Sequence, residues 1–533
     1  MLRKLHNVLK KINKAHLMGL LMYLILVLGP FVFLLFNLAR DLLIGKSDLI
    51  SLINYSERRA ILLGNSIKLA LGVSFLGSII GILIAVVIWN SKSNTKRNFF
   101  WLFILIVPIP SYIHALSWMY FINGVKYIAK SNFDFSGFYA SLLVQLMSFL
   151  PLAIALALAG LERIDKNLLD AARVIRKDKD TLFKVVIPLA APMIIACAGI
   201  TFVLSIIDYS IPSLFQFNVY SLEIFSEYSA SGNAGNAFLL SLPLLLITLF
   251  ILVCSQSDIK NVALGADCGR KNDDDRSYID VFKLPGWFKG LQGMALLIFS
   301  LQVAIPTLML VLQAEAWKAL FSSLSAINNE LMVTFKIAAV TALLCLFPAY
   351  SVACLLKKNE KYSILLWAVM LVSVATPASL SGIAIVSMVN QPMLHHLSGS
   401  IIMPVLGAAS RFIPFSVIIL LAQLRRIDPL LIEAASILHN NPLKIWWKVK
   451  LPMMLPGILA SICLVFVLTS SELGATLLLI PPGVETITIK IYNYLHYGAT
   501  EVVAGLCLLM MITILLCGAG IIAMIKMRRK WLE

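Results

Sequence analysis

Three charged residues interrupt otherwise apolar stretches of this sequence: Asp208, Arg411 and Glu472. A charge near the centre of a bilayer costs about 2.5–3.5 kcal/mol on the insertion scale, so such residues should face a protein interior or an aqueous cavity. Carboxylate and hydroxyl oxygens together favour a cation over an anion. We therefore predict a translocation pathway rather than a catalytic centre, formed by the three charges and their polar neighbours: Asp208, Tyr209, Ser210, Arg411, Ser470, Ser471 and Glu472.

A structural role for two of these charges is an open alternative. Arg411 could pair with Glu472 and hold two neighbouring helices together. Ser148 occupies the place of Arg411 in the first half of the chain, so such a tie would exist in one half only.

The elements that must position these residues are membrane-spanning helices. Apolar residues make up 60% of the 533-residue chain and charged residues only 13%, which excludes an ordinary soluble enzyme. A spanning helix needs about 20 mainly apolar residues. Twelve runs of this kind predict an all-α, polytopic membrane protein: 17–39, 66–90, 99–122, 137–160, 189–212, 236–255, 290–314, 331–356, 362–388, 400–423, 453–477 and 502–526. The first run has no small-residue cleavage site behind it and is expected to be a retained helix.

Lysine and arginine predict the orientation of the chain, because these residues stay on the cytoplasmic side. With both termini cytoplasmic, the inner segments hold most of the basic residues, and outer loops 213–235 and 389–399 hold none. The loop between the first two helices, with Arg58 and Arg59, disagrees with this pattern. The net charge of +17 is then what this rule leaves on the inner face. Anionic membrane lipid is the expected neighbour of that face, and no nucleic-acid partner is expected.

The chain contains an internal repeat. FLPLAIALALAGLERIDKNLLDAA begins at Phe149, and FIPFSVIILLAQLRRIDPLLIEAA begins at Phe412. SIKLA at 66–70 likewise resembles TFKIA at 334–338. Further matched pairs are Asp170 with Glu433, Ala171-Ala172 with Ala434-Ala435, Pro188 with Pro452, and Asp208 with Glu472, with one residue fewer in the first copy between Asp170 and Pro188. We predict two six-helix halves, 1–255 and 290–533, joined by a polar cytoplasmic linker at 256–289.

Each half carries a polar helical hairpin between its fourth and fifth helices. In the second copy, Asp428 before Pro429 and Asn441 before Pro442 are helix start signals. The hairpins are basic and amphipathic, so they could lie flat on the inner leaflet. Their repetition at matching positions favours a second reading, in which both dock on a partner that has two similar sockets.

The second hairpin, EAASILHNNPLKIWWKVKLP, closely resembles the coupling motif of ATP-binding-cassette importer permeases, and DAARVIRKDKDTLFKVVIP resembles it less closely. The glycine of that motif is replaced by Arg176 in the first copy and by His439 in the second. The whole chain is similar to permeases with two fused halves, which serve ferric iron, thiamine or 2-aminoethylphosphonate. Segments 471–498 and 107–120 most resemble the ferric-iron type.

The resemblance implies a type I importer, in which the hairpins contact a cytoplasmic ATPase homodimer and an extracytoplasmic binding protein delivers the solute. It implies these ATPase-coupling residues: Asp170, Ala171, Ala172, Arg176, Glu433, Ala434, Ala435, His439 and Pro452. ATP and Mg²⁺ would be used by the partner, and no cofactor or metal would be bound by this chain. Gly45-Lys46-Ser47 is not a P-loop, because Arg40 stands where the upstream glycine is required. The implied location is a bacterial cell membrane.

Ferric iron is the expected solute, with 2-aminoethylphosphonate, thiamine and polyamine as alternatives. A secondary transporter is the alternative class. It would also have twelve helices and internal repeats, but it would not need two matching hairpins. A membrane enzyme is disfavoured because His, Asp, Glu, Ser and Cys residues form no catalytic cluster in the sequence.

Several other features are expected to serve packing. Gly77 and Gly81 form a small-residue pair suited to close helix contact, and Pro110 and Pro377 should kink the third helix of each half. The eight cysteines are expected to fill helix interfaces. The adjacent histidines 395 and 396 are not expected to form a metal site. Outer loops 213–235 and 478–501 are the expected landing surface for a binding protein.

Overall fold

A computed structural model describes residues 14–43, 56–91, 109–130, 135–255, 282–312, 315–357, 363–438, 441–496 and 500–532. The described residues are almost entirely helical. The first half comprises α1 (Lys14–Leu43), α2 (Glu57–Trp89), α3 (Ser111–Ala129), α4 (Gly137–Leu161), α5 (Lys166–Ile175), α6 (Asp178–Thr181), α7 (Ile187–Ile207), α8 (Ser210–Leu214), α9 (Tyr220–Ser231) and α10 (Ala234–Cys254).

The second half repeats this order. It comprises α11 (Gly286–Leu312), α12 (Glu315–Lys357), α13 (Ser363–Ala375), α14 (Ala378–Val389), α15 (Ile402–Arg425), α16 (Pro429–Leu438), α17 (Pro442–Ile445), α18 (Leu451–Ser470), α19 (Thr476–Leu479), α20 (Ile487–His496) and α21 (Thr500–Leu532). Helix α11 begins inside the predicted linker, whose residues 256–281 lie outside the described part of the chain.

Ten of the described helices are long and apolar enough to cross a membrane, and α13 with α14 gives an eleventh span when this pair, bent by 106°, is counted as one. These spans match eleven of the twelve predicted runs. Of the remaining run, 99–122, only the part from residue 109 onward is described, and it forms the start of α3. The prediction of an all-α, polytopic membrane protein is confirmed.

The bend in the third span of the second half occurs at a proline, as predicted. Pro377 is the N-cap of α14, and Pro110 is the N-cap of α3 at the matching place in the first half. Proline disfavours the helical conformation of the residue before it. The 106° change of direction after α13 follows from this restriction.

Within each half, the second, fourth and fifth membrane-spanning helices form the central bundle. In the first half these are α2, α4 and α7, and in the second half α12, α15 and α18. A Cβ atom at Gly81 would lie 3.1 Å from the carbonyl carbon of Ala153, so α2 and α4 meet backbone to backbone there. The predicted role of Gly81 in close helix contact is confirmed.

The first helix of each half leaves its own bundle and packs on the other half. Helix α1 contacts α12 and α14, whereas α11 contacts α2, α3 and α21. This exchange joins the halves through apolar side chains such as Tyr23 and Phe299, which are buried. Two of the buried apolar clusters therefore contain residues of both halves.

Candidate functional site

The first hairpin is formed by α5 and α6. Its start is fixed by Asp165, whose Oδ1 accepts a hydrogen bond from the backbone N–H of Asn167 at 2.9 Å. Asp170 and Ala171 are exposed on α5, Ala172 is half-buried, and Arg176 ends the helix in extended conformation. The predicted coupling residues of this copy thus lie together on one short surface helix.

The second hairpin is formed by α16 and α17, and both predicted start signals are confirmed. The backbone N–H of Leu430 donates to Asp428 Oδ1 at 3.0 Å, and α17 begins at Pro442. Glu433 and Ala434 are exposed, and Ala435 is half-buried. His439 lies outside the described residues.

Large apolar side chains are exposed at the same two positions of both hairpins. Val174 and Ile175 at the end of α5 are 87% and 83% exposed, and the equivalent Ile437 and Leu438 of α16 are 83% and 79% exposed. Each pair follows the acidic residue of its copy by about one helical turn. Two equivalent apolar patches beside an exposed acid are suited to contact with a repeated partner surface.

A π-helical turn connects each hairpin to the following spanning helix. These turns, Leu182–Val186 and Trp446–Lys450, precede Pro188 and Pro452, the prolines near the start of α7 and α18. Proline has no N–H and clashes with the carbonyl of the preceding turn, so a wider turn relieves the contact. The predicted coupling residue Pro452 therefore lies at the junction between hairpin and spanning helix.

The first hairpin is held by residues that sequence reasoning assigned to the linker. The Asn90 side chain accepts from the backbone N–H of Phe282 at 2.7 Å and donates to its carbonyl at 3.2 Å. Asp178 Oδ2 accepts from the N–H of Lys283 at 2.7 Å, and its Oδ1 pairs with Arg173 at 3.1 Å. The Arg173 guanidinium also lies 4.6 Å from the centre of the Phe282 ring. We call this set of contacts, made by Asn90, Arg173 and Asp178 with residues 282–283, the linker clamp.

The second hairpin makes different contacts with its own half. Lys450 lies over the ring of Tyr350 at 5.6 Å, and Trp446 packs edge-on against Trp447. Lys357, at the end of α12, donates to the carbonyl of Leu424 at 2.8 Å. The two hairpins are thus similar in outline but anchored by different residues.

At the opposite end of the bundle, the two predicted acids occupy equivalent positions. Asp208 follows α7, Glu472 follows α18, and the backbone carbonyl of each accepts a hydrogen bond from a hydroxyl near the start of an outer helix. The donors are Ser221 Oγ at 3.4 Å and Thr488 Oγ1 at 3.3 Å. The repeat predicted from sequence therefore extends to the hydrogen bonds that fix the two acids.

The carboxylates of the two acids have different partners. Glu472 forms an ion pair with Arg411 and accepts from the N–H of Ala475 at 2.9 Å. Asp208 accepts from Gln145 Nε2 at 3.1 Å and from the backbone N–H and hydroxyl of Ser210. Among the described residues, no lysine or arginine pairs with Asp208. The alternative of a tie between Arg411 and Glu472 is therefore confirmed, and it leaves Asp208 as the acid without a cationic partner.

The other predicted pathway residues separate into two groups. Tyr209 stacks on Phe225 with ring centres 6.0 Å apart, and Ser210 lies beside Asp208. Ser470 and Ser471 instead donate to carbonyls of their own helix, at 2.8 and 2.7 Å. The expectation of a polar cluster around both acids is thus met on the Asp208 side only.

Sequence reasoning missed the ion pairs that fasten the outer helices. Arg58 Nη2 lies 3.0 Å from Glu223 Oε2, and Arg59 Nη2 lies 3.5 Å from Glu227 Oε2. In the second half, Lys490 pairs with Glu330. The basic residues of the first outer loop were the sequence signal for the pairs in the first half. Arg58 and Arg59 are neutralised by Glu223 and Glu227 of loop 213–235.

Histidines 395 and 396 form a single exposed helical turn. In the part of the chain that the structure describes, no three His, Cys, Asp or Glu residues are grouped in a way that could hold a metal ion.

Comparison with known proteins agrees with this architecture. The family model for "Binding-protein-dependent transport system inner membrane component" matches residues 77–257 and 346–531, one segment in each half. The Fe(3+)-transport system permease protein FbpB 2 of Haemophilus influenzae is 21% identical over 465 residues, covering 83% of this chain and 85% of that protein.

Two further relatives are informative. The ferric transport system permease protein FbpB of Actinobacillus pleuropneumoniae is 21% identical over 85% of this chain and 70% of its own length. A putative 2-aminoethylphosphonate transport system permease protein, PhnU of Salmonella typhi, is 35% identical over 112 residues, which cover 21% of this chain and 38% of that protein. With both halves matched and a polytopic helical structure, the chain belongs to the family of binding-protein-dependent transport system inner membrane components.

Proposed function

We propose that this permease is the membrane subunit of an ATP-driven importer that takes up ferric iron. A cytoplasmic ATPase homodimer binds the two hairpins, uses ATP and Mg²⁺, and supplies the energy. An extracytoplasmic binding protein delivers the solute to the opposite face. The chain resides in a bacterial inner membrane with both termini in the cytoplasm, in contact with membrane lipid.

The pair of matching hairpins is the observation that carries this proposal. A dimeric ATPase offers two equivalent clefts, and the chain offers two equivalent apolar patches, Val174 with Ile175 and Ile437 with Leu438. The acids Asp170 and Glu433 lie beside these patches and can pair with basic groups of the partner. Lipid binding alone would not require acids repeated at one position in both hairpins.

The coupling mechanism uses the connection between each hairpin and the spanning helix that follows it. ATP binding closes the partner dimer and draws the two hairpins together. The π-helical turns before Pro188 and Pro452 transmit this motion to α7 and α18, whose far ends carry the two acids. The halves then rock to open the face that receives the binding protein, and hydrolysis resets them.

Ferric iron is proposed as the cargo on two grounds. Relatives named for ferric iron align over most of this chain. In addition, Asp208 is an acid without a cationic partner among the described residues, next to the hydroxyl of Ser210, and hard oxygen ligands suit a highly charged cation. The match to the permease named for 2-aminoethylphosphonate makes that solute the second candidate.

Uptake of radiolabelled ferric iron tests the proposal. Cells that lack this gene are complemented with wild type, Glu433→Lys or Glu433→Asp. We expect wild type to restore uptake, Glu433→Lys to reduce it to background by reversing the charge at the docking surface, and Glu433→Asp to retain it because the first hairpin already uses aspartate.

The outcomes separate the two parts of the proposal. Wild-type uptake by Glu433→Lys, at equal membrane abundance, would refute the docking role of α16. Iron uptake that does not depend on the gene would refute ferric iron as the cargo, and the same cells would then be tested with 2-aminoethylphosphonate.

A further inference from the structure

A cavity of about 110 Å³ lies between the two halves near the acids. Its lining includes residues at equivalent positions of the repeat: Tyr209 with Leu473, Ser213 with Leu477, and Phe225 with Tyr492. The first two pairs follow Asp208 and Glu472 by the same number of residues. The third pair has the same position in the outer helices α9 and α20. The cavity is therefore lined by both halves, with three equivalent pairs among its residues.

The walls of this cavity differ in chemistry. The first half contributes Tyr209 and Ser213 where the second contributes Leu473 and Leu477. Over the whole lining, the first half contributes the hydroxyls of Tyr112, Tyr209, Ser210 and Ser213, and the second half those of Thr488 and Tyr492, so a solute would meet more oxygen atoms on the side of the first half.

Four of the hydroxyl groups around the cavity can donate their hydrogens to groups of its wall. Ser210 donates to Asp208, Ser213 to the carbonyl of Ser210 at 3.0 Å, and Thr488 to the carbonyl of Glu472 at 3.3 Å. Tyr112 donates to the sulfur of Met510 at 2.7 Å. A hydroxyl has one hydrogen to donate and two lone pairs that can accept. When these four hydrogens are used in the wall, the oxygens of Ser210, Ser213 and Thr488 keep lone pairs that can accept toward the cavity.

We propose that this cavity holds the cargo in transit and selects a small cation, with Ser210, Ser213 and Thr488 as specificity-determining residues. Acceptor oxygens, together with the negative charge of Asp208, favour a cation and disfavour an anion such as a phosphonate group. The volume admits an ion with a few waters, since each water occupies about 30 Å³. This inference deepens the proposed function and rests on it for the identity of the cation.

The outer helices close the cavity. Tyr209 stacks on Phe225 of α9, and Tyr492 of α20 lies at the equivalent place. Ion pairs hold each helix to its own half: Arg58 with Glu223 for α9, and Glu330 with Lys490 for α20. When the halves move apart, each outer helix should move with its half and open the cavity.

Cysteine labelling tests the charge selectivity without reference to the cargo. Ser213→Cys is treated with a cationic and with an anionic methanethiosulfonate reagent in membranes that contain the whole transporter, and labelling of wild type is subtracted. We expect the cationic reagent to react at least about tenfold faster. The matched control is Ser226→Cys, since Ser226 is exposed on α9 and does not line the cavity; it should show a much smaller preference.

Uptake of radiolabelled ferric iron by Ser213→Leu, Ser213→Thr and Ser226→Leu is the second measurement. Ser213→Leu gives the first half the apolar residue found at Leu477 and should lower uptake at least about tenfold at equal membrane abundance. Ser213→Thr keeps the hydroxyl and Ser226→Leu lies outside the cavity, so both should retain uptake.

Equal or faster reaction of the anionic reagent at Ser213→Cys, no reaction with either reagent, or wild-type iron uptake by Ser213→Leu would each overturn the inference. Failure of wild type to take up iron would remove ferric iron from the proposed function, while the labelling preference would still decide whether the cavity selects cations.

Discussion

Glu223 and Lys490 occupy the same position of the two outer helices and carry opposite charges. Each is the third residue after the start of its helix, where the N–H of Tyr220 or Ile487 donates to a hydroxyl of the second spanning helix. Glu223 pairs with Arg58, and Lys490 pairs with Glu330. Each outer helix is thus fastened to the second spanning helix of its half by an ion pair, and the outer helix carries the acid in the first half and the base in the second.

The exchanged charges predict how substitutions at the second pair should combine. Lys490 and Glu330 are only 14% and 15% exposed, so Lys490→Glu should destabilise the permease by about 1.5–3 kcal/mol, because two carboxylates then meet. Adding Glu330→Lys should restore most of that loss and reproduce the charge order of the first half. Thermal unfolding of the purified permease measures both effects, and simple addition of the two single losses would contradict the pairing.

The linker clamp should be required for coupling through the first hairpin. Asn90→Ala removes two hydrogen bonds to Phe282, at about 0.5–1.5 kcal/mol each. We expect slower iron uptake and faster proteolytic cleavage near α5. The matched control is Lys283→Ala, because Lys283 contacts Asp178 through its backbone N–H and the substitution leaves that group in place. Equal proteolysis of the two variants would argue against the clamp.

Arg411 is predicted to stabilise the fold rather than to contact cargo. Arg411→Met leaves Glu472 buried without its cationic partner, which should cost about 3–5 kcal/mol. The double variant Arg411→Met, Glu472→Met removes both charges and should recover much of the stability together with iron uptake. Thermal unfolding and uptake are measured on the same preparations. A stable double variant that takes up no iron would show that one of these charges has a direct transport role.

Asp208 is predicted to contact the cargo rather than to stabilise the fold. Asp208→Asn removes the negative charge and keeps one oxygen, which can still accept from Ser210, while the amide nitrogen replaces the oxygen that accepts from Gln145. We expect a loss of stability of only about 0.5–1.5 kcal/mol from the one lost hydrogen bond, and at least about tenfold slower iron uptake, because the cation loses its counter-charge. Unchanged uptake by this variant would exclude Asp208 from the pathway.

The close contact at Gly81 predicts a steric effect. Gly81→Val should destabilise the permease by about 1–3 kcal/mol, because the added carbons meet the backbone of Ala153. Gly77→Ala is the control, since its Cβ would lie 3.6 Å from a flexible Leu146 side chain. Equal melting temperatures for the two variants would disprove the close helix contact.

The sequence by itself determined the helical class, eleven described spans, the repeat and both hairpins. These features depend on local patterns: long apolar runs set helix length, and Asp428 before Pro429 sets a helix start. The kink at Pro377 is equally local, because proline restricts its own neighbourhood. The equivalence of Asp208 and Glu472 was visible because both copies retained it.

Only the tertiary structure decided which groups meet. Arg411 could have stood free or paired with Glu472, and a separation of 61 residues gives no distance until the helices pack. The crossing of α1 and α11 to the opposite half, the docking of Phe282 against Asn90 and the cavity between the halves all depend on contacts distant in sequence. Such contacts follow from the burial of apolar faces between helices, which fixes side-chain neighbours that no local pattern encodes.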